Sequence, residues 1–274
     1  MHSSPQPPSL KREPEAPGSH VIYGVHAVTE LLERRRADIH TILVQRDARD
    51  EGPHSALGLL VRRATELGVH PVERARGELD KLAHGGVHQG VVALCGAFRY
   101  ADGPAALLAH AKERDEAPLL LVLDGVQDPQ NLGALVRSTY VLGGHGVLVP
   151  QDRAASVTPT VVKAAAGATE LLPIAQVPNL VRAMNELQES GVWLVAAVAP
   201  GQDGQPPWEL DLTQPVALVL GGEGRGLRPL PRKTCELRVE IPMQPGLHGA
   251  SLNVSTAGAV LLYEALRQRR ALPR

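Results

Sequence analysis

From residue 118 onward the apolar positions fall into short unbroken runs separated by stretches in which they recur three or four apart. Unbroken runs of strand length read as strands buried on both faces, and the three-four spacing reads as helices packed on them. The order is strand LLLVLD (119–124), helix NLGALVRSTYVLG, strand HGVLVP, helix TVVKAAAGA, strand LLPIA, helix NLVRAMNELQESG and strand VWLVAAV. Strands PVALVLGG and LRVEI follow, and then a last helix with Val254, Ala257, Leu261 and Ala265 on one face. Strands alternating with helices predict an α/β unit on a mainly parallel sheet.

A smaller α/β unit precedes it. VIYGVHAVTELLERRR reads as a short strand entering a helix, and HTILVQ (40–45) as a strand. ALGLLVRRATELG carries Leu57, Leu60, Val61 and Ala64 on one side and ends at Gly68, where a helix terminus favours glycine. GVHPVE, RGELDKLA and GVVALCGAF give a strand, a short helix and a buried strand ending near Phe98. Residues 1–19, rich in proline, serine and charge, are expected to be a disordered tail. Residues 99–117 read as a linker and a charged helix leading into the second unit. The division is therefore 20–98 and 118–274.

Composition narrows the function. Aromatic residues are 3% of the chain, so the core is built on Leu, Val and Ala, and a base-stacking platform is disfavoured. A net charge of −1 argues against a broadly basic nucleic-acid binder but allows local patches. Cys95 and Cys235 lie far apart and match no metal spacing, which predicts no metal site and a reduced, cytoplasmic setting. No apolar run reaches membrane-spanning length, and the N-terminus lacks the apolar core of a signal peptide.

In an open parallel sheet, ligands sit beyond the C-terminal strand ends. Three loops there carry polar residues. LDGVQDPQNLGALVRS places Asn131 at or near a helix start with Arg137 six residues on, which also reads as a helix cap and a surface arginine. VLGGEGRGLRPLPRK surrounds Glu223 and Arg225 with glycines. It resembles a phosphate cradle but has neither the Lys-Ser/Thr ending of a P-loop nor the placement of a dinucleotide fingerprint. Arg225, Arg228, Arg232 and Lys233 there form a basic patch suited to nucleic-acid phosphates, or a solvated loop. In IPMQPGLHGASLNVSTAGAVLLYE, Ser251 and Asn253 stand at the threshold of the last helix, where both are good N-cap residues.

In this order, NLGALVRS, LVLGGEGRGL and IPM…SLNVSTAGAVLLYE resemble the three motifs of the SpoU family of RNA 2′-O-ribose methyltransferases, in the SPOUT superfamily. VIYGVHAVTELLE and VHQGVVA resemble the N-terminal substrate-binding domain of its RlmB-type members, and the likeness spans about residues 20–270. It implies a parallel sheet threaded into a trefoil knot, S-adenosylmethionine as methyl donor bound at the knot, and a homodimer with the active site near the subunit interface. It also implies an RNA-binding N-terminal domain of the ribosomal-protein L30e type. By the same resemblance Asn131, Arg137, Glu223, Ser251 and Asn253 are the catalytic set. Ala197, Val198, Leu220, Gly221, Ile241, Met243 and Leu252, with Glu223 and Asn253, would hold the donor. The segment QPGLHGA departs from the family's short Gly/Ser-rich loop, and His248 within it reads either as a contact to substrate or donor or as a local variation.

The implied substrate is a guanosine of large-subunit (23S) ribosomal RNA. The alternatives are transfer RNA, another ribosomal site, or a non-catalytic RNA-binding protein of the same fold. A nucleotide-binding oxidoreductase is set aside for want of a dinucleotide fingerprint. Methylating a ribose hydroxyl requires orienting the hydroxyl, removing its proton and excluding water. An arginine is a poor base, so Arg137 is expected to hold a phosphate or orient a base, although the family resemblance also implies an arginine that assists proton removal, and the sequence leaves the two open. Ser251 and Asn253 are expected both to cap the helix and to line the site. The clusters Arg34–Arg36 and Arg62–Arg63 read either as phosphate contacts or as solvated surface.

Overall fold

The computed structural model of the chain describes residues 20–46, 54–83, 85–224, 226–244 and 251–271. The expected tail (1–19), Arg225 and His248 lie outside the described residues. The first unit runs β1 (His20–Tyr23), α1 (Val25–Arg35), β2 (Ile39–Gln45), α2 (Ala56–Glu66), β3 (Val72–Arg74), α3 (Arg76–Leu82) and β4 (Val91–Cys95). Its sheet has the order β1-β4-β2-β3, with β4 antiparallel to both neighbours and β2 parallel to β3.

The second unit runs α4 (Gly103–Glu113), β5 (Leu119–Asp124), α5 (Pro129–Val141), β6 (Gly146–Pro150), α6 (Pro159–Ala165), β7 (Ile174–Val177) and α7 (Leu180–Glu189). It continues β8 (Trp193–Val198), β9 (Val216–Gly221), α8 (Pro229–Thr234), β10 (Leu237–Glu240) and α9 (Val254–Arg270). The sheet order is β10-β8-β9-β5-β6-β7, and every pairing is parallel.

β5 shows why the apolar runs had to be unbroken. Leu119, Leu121 and Leu123 join the cluster formed with α5, α6 and α9, while Leu120 and Val122 join that formed with α4 and α7. A polar residue on either face would lie in a core. The run stops at Asp124, level with Gly221 of β9.

Local chemistry moved some boundaries from their expected places. α5 starts at Pro129 because Asp128 accepts a hydrogen bond from the Gln130 backbone N–H, at 3.0 Å, and proline suits the first turn. α6 ends at Ala165 because Ala166 and Gly167 adopt left-handed backbone angles. A 3-10 turn (168–170) then delays the next strand to Ile174. α8, with proline in its first turn, occupies part of the stretch read as a basic loop.

The two units share one continuous apolar core, in which Ile22, Val28 and Leu31 belong to the same cluster as Val161, Val162 and Ala165. Arg35 rivets the junction. It donates to Asp38 of its own unit and to buried Glu170 of the other, each at 2.9 Å. Phe98, the chain's one phenylalanine, packs between His20 and Tyr100 under the Arg35 guanidinium. The Tyr100 hydroxyl accepts from the Val157 N–H at 2.8 Å, and Ala101 bridges to Ala175. The start of the segment read as a linker is therefore stitched along the edge of the large sheet. Among the described residues, no helix is long and apolar enough to cross a membrane.

α9 closes the large unit. Arg269 donates to four carbonyls: Ala117 at 2.5 Å, Pro118 and Gln214 at 2.9 Å, and Leu212 at 3.1 Å. These belong to the segments that lead into β5 and β9, so one guanidinium fixes where two adjacent strands begin. Arg269→Met should therefore lower unfolding free energy by about 2–4 kcal/mol. Arg269→Lys should recover only part of that, because an ammonium cannot span the same fork. Urea unfolding followed by circular dichroism reads both.

Candidate active site

The three loops singled out in the sequence converge at the C-terminal edge of the large sheet. The second and third, with the ends of β8 and β10, enclose a cavity of about 600 Å³, within the range of roughly 300–1,000 Å³ common for small-molecule sites, and the first reaches it through Asn131, which bonds to Glu223 in its lining. Ala197, Val198, Leu220, Gly221, Glu223, Ile241, Met243, Leu252 and Asn253, the nine positions expected to hold a donor, all line it. Ser251, Gln202, Arg232 and Val254 line it as well. The wall is thus small or apolar along β8, β9 and β10, with polar groups gathered at the glycine turn and the α9 threshold.

Two backbones approach too closely for side chains at the floor of the cavity. A Cβ on Gly222 would collide with the Gly125 carbonyl, and one on Gly221 would collide with the backbone of Gly226. Gly222 N–H donates to the Asp124 carbonyl at 2.9 Å, and Gly226 N–H to the Gly222 carbonyl at 3.1 Å. This small closed turn presents Glu223.

Asn131 is not the cap of α5. Asp128 fills that role, and Asn131 lies in the first turn, 6% exposed. Its amide Nδ2 donates to Glu223 Oε1. The first two motifs therefore meet side chain to side chain. At the third, Asn253 does cap α9: its Oδ1 accepts from the Ser255 N–H at 2.8 Å and from the Ser255 hydroxyl at 2.6 Å. Ser251 bonds to nothing among the described residues and faces the cavity.

Arg137 stands apart from this group. Six residues on from Asn131, it lies about 9 Å along the helix axis and about 120° around it. It is exposed and has no ion pair or hydrogen bond among the described residues. The basic residues of the glycine loop divide by environment. Arg228 is committed to Asp124, with Nε to Oδ1 at 2.6 Å. Arg232 lines the cavity and donates to the Gln202 carbonyl at 3.4 Å. Lys233 is exposed on α8.

The clusters Arg34–Arg36 and Arg62–Arg63 have protein partners: Glu30, Asp38, Glu170, the Leu67 carbonyl, Glu66 and Glu33. The solvated or structural reading fits them better than phosphate contact. Burial pushes both thiols, Cys95 and Cys235, up to about 12, so neither supplies a thiolate nucleophile near neutral pH.

Sequence reasoning missed Asp124 and the capping role of Asp128. Asp124 did leave a signal, since a charge ending a buried strand requires a partner.

The model of the SpoU rRNA Methylase family matches residues 118–263, more than half of the chain. The chain belongs to the SpoU rRNA methylase family. A second model, RNA 2′-O ribose methyltransferase substrate binding, matches residues 21–101. The chain is 42% identical to the 23S rRNA (guanosine-2′-O-)-methyltransferase RlmB of Coxiella burnetii, over 91% of this chain and 96% of that one. It is 41% identical to the RlmB of Vibrio cholerae, over 92% and 98%. The crystal structure of the SpoU methyltransferase AviRb from Streptomyces viridochromogenes in complex with AdoMet matches with a TM-score of 0.73 and 26% identity. That match covers 93% of this chain and 92% of that one.

As a SpoU enzyme the chain transfers methyl groups to RNA and uses S-adenosylmethionine. The cavity fits that donor: an apolar cleft for an adenosine moiety, small residues where backbones must approach it, and polar groups toward the Asn131–Glu223 contact. A methyl group placed at Gly222 would push the turn away from β5. Gly222→Ala should weaken donor binding about tenfold or more, the equivalent of the 1–3 kcal/mol typical of overpacking. Calorimetric titration with S-adenosylmethionine measures it. Unchanged affinity would show that the turn does not shape the site.

Proposed function

We propose that this chain methylates the ribose 2′-hydroxyl of a guanosine in 23S ribosomal RNA, acting as a cytoplasmic homodimer. The observation that carries the reading is the cavity shared by the glycine turn and the α9 threshold, with Asn131 of the first loop bonded to Glu223 in its lining. Its support is the RlmB relatives, similar over more than 90% of both chains. Bound in the cavity, S-adenosylmethionine would supply a methyl group already activated on a sulfonium. The protein's task is then to place the hydroxyl in line, assist loss of its proton and exclude water.

Each residue has a part in that task. Leu220, Ile241 and Leu252 form the water-excluding wall. Glu223, held by Asn131, positions polar groups of the donor or the ribose, and Ser251 and Asn253 add hydrogen bonds from the α9 threshold. Arg137, exposed and without a protein partner among the described residues, is free to grip the phosphate beside the target ribose. Arg232 and Lys233 lie on the same short helix beside the cavity and are placed to meet RNA.

Homodimer formation is supported by the outer faces of α5 and α9. These helices pack side by side and expose Tyr140, Val141, Val260 and Tyr263. A second copy covering that face would bring its own surface beside Arg137. Residues 20–98 serve as the RNA-binding domain and 118–274 as the methyltransferase domain. The trefoil threading belongs to the same reading. It is supported by the placing of β10 at one edge of the sheet while α9, next in the chain, packs against α5 and β9 nearer its middle.

The test is methyl transfer by the full chain from S-adenosylmethionine to 23S rRNA lacking the modification, with products mapped for 2′-O-methylguanosine. One modified guanosine is expected. Arg137→Ala should lower the single-turnover rate at saturating donor and RNA on the order of a hundredfold. Methylation confined to transfer RNA, or none at all, contradicts the substrate. An Arg137→Ala rate within about threefold of wild type returns Arg137 to the surface.

A further inference from the structure

One buried residue holds the glycine turn at both ends. Asp124 is 1% exposed, at the last position of β5. Its backbone carbonyl accepts from the Gly222 N–H, where the turn leaves β9. Its carboxylate accepts from the Arg228 backbone N–H at 2.8 Å, where the turn enters α8. The Arg228 side chain closes the clamp, with Nε at 2.6 Å and Nη2 at 2.5 Å from Oδ1. Between these anchors the chain doubles back through the Gly226-to-Gly222 bond, with Gly224 and Gly226 at positive φ, and carries Glu223 toward Asn131.

Stability alone does not explain a carboxylate here. A charge removed from water is costly unless fully paired, and an apolar pair of similar volume commonly serves a core as well or better. What the charged pair adds is direction. A carboxylate accepting one backbone N–H and two guanidinium N–H groups fixes both the distance and the orientation of the turn. Without it, a glycine-rich segment with two positive-φ positions would hold Glu223 at the strand end by the Gly222 bond and its own short turn alone.

We propose that Asp124 is a positioning residue for methyl transfer. Acting through Arg228, it sets the turn so that Glu223 meets Asn131 at the cavity rim. The proposal rests on the reading of that cavity as the site of methyl transfer. It also removes Arg228 from the residues that meet RNA phosphate, because its backbone N–H and two of its guanidinium N–H directions already face Asp124.

The experiment compares wild type, Asp124→Asn, Arg228→Lys, Glu223→Gln and the double variant Asp124→Asn/Glu223→Gln as full chains. Single-turnover methyl transfer at saturating donor and RNA is read beside RNA affinity over a salt series. Asp124→Asn and Arg228→Lys should each slow transfer roughly ten- to a hundredfold, the scale of a small misplacement, with RNA affinity and its salt slope unchanged. Glu223→Gln should slow the wild type strongly, yet add less than about twofold to Asp124→Asn, because the two changes disable one unit. A merely structural role would leave the two effects multiplying. Where Asp124→Asn fails to fold, Arg228→Lys, which keeps a cation beside the carboxylate, carries the test in the matching double variant with Glu223→Gln.

Transfer within about threefold of wild type, or fully multiplying effects, overturns the proposal. So does an Arg228→Lys variant that transfers normally while losing RNA affinity and salt slope, since that is the behaviour of a phosphate contact. A wild-type chain that transfers no methyl group overturns the activity reading, and the proposal with it. A wild type that transfers while the variants keep pace overturns the proposal alone.

Discussion

A parallel sheet covered on both faces leaves open edges and strand ends as the places for chemistry. β5 is the strand on which this constraint acts most strongly. It lies between β9 and β6, and its apolar residues alternate between two helical layers. Its first polar side chain, Asp124, comes where the layers end. From there the β5–α5 turn and the β9–α8 turn are held against each other at van der Waals limit, with no room for a Cβ on Gly222. The cavity, the Asn131–Glu223 contact and the placing of Arg228 all follow from that one close approach.

The buried or half-buried charges are used as rivets. Arg35 joins the two units through Glu170, Arg269 gathers four carbonyls at the entrance to β5 and β9, and Arg228 closes on Asp124 at the exit of β5. In each case a guanidinium spans segments distant in sequence, which its planar fork does better than a lysine. With aromatic residues so scarce, directional bonds of this kind locate elements that larger side chains would otherwise wedge into place. The cations left over, among them Arg137 and Lys233, are on the outside.

Much of this was legible in the sequence because it follows from periodicity. The limits of β5 were read to the residue, and the three polar loops were read as one functional edge before any contact was known. What was not legible was pairing. Asn131 and Asp128 are both acceptable caps, and nothing local says that Asp128 takes the helix while Asn131 turns to a glutamate ninety-two positions away. Arg228, Arg232 and Lys233 look alike in a row. One is tied to a buried carboxylate, one lines the cavity and one is exposed with no partner among the described residues, because their environments come from β5, from the loop after β8 and from solvent. The α8 helix was missed for a related reason: six residues with two prolines give no period to read.

The account stands on the cavity at the ends of β8, β9 and β10 being the seat of the methyl donor. The most direct measurement is a crystal structure of the full chain grown with S-adenosylmethionine. The adenosine should lie against Leu220, Ile241 and Leu252, with the methyl group directed to the side where Glu223 meets Asn131. A donor bound elsewhere, for instance in the cleft between Arg114, Tyr140 and Arg270, would contradict the account. So would a donor seated in the cavity with its methyl group turned away from Glu223.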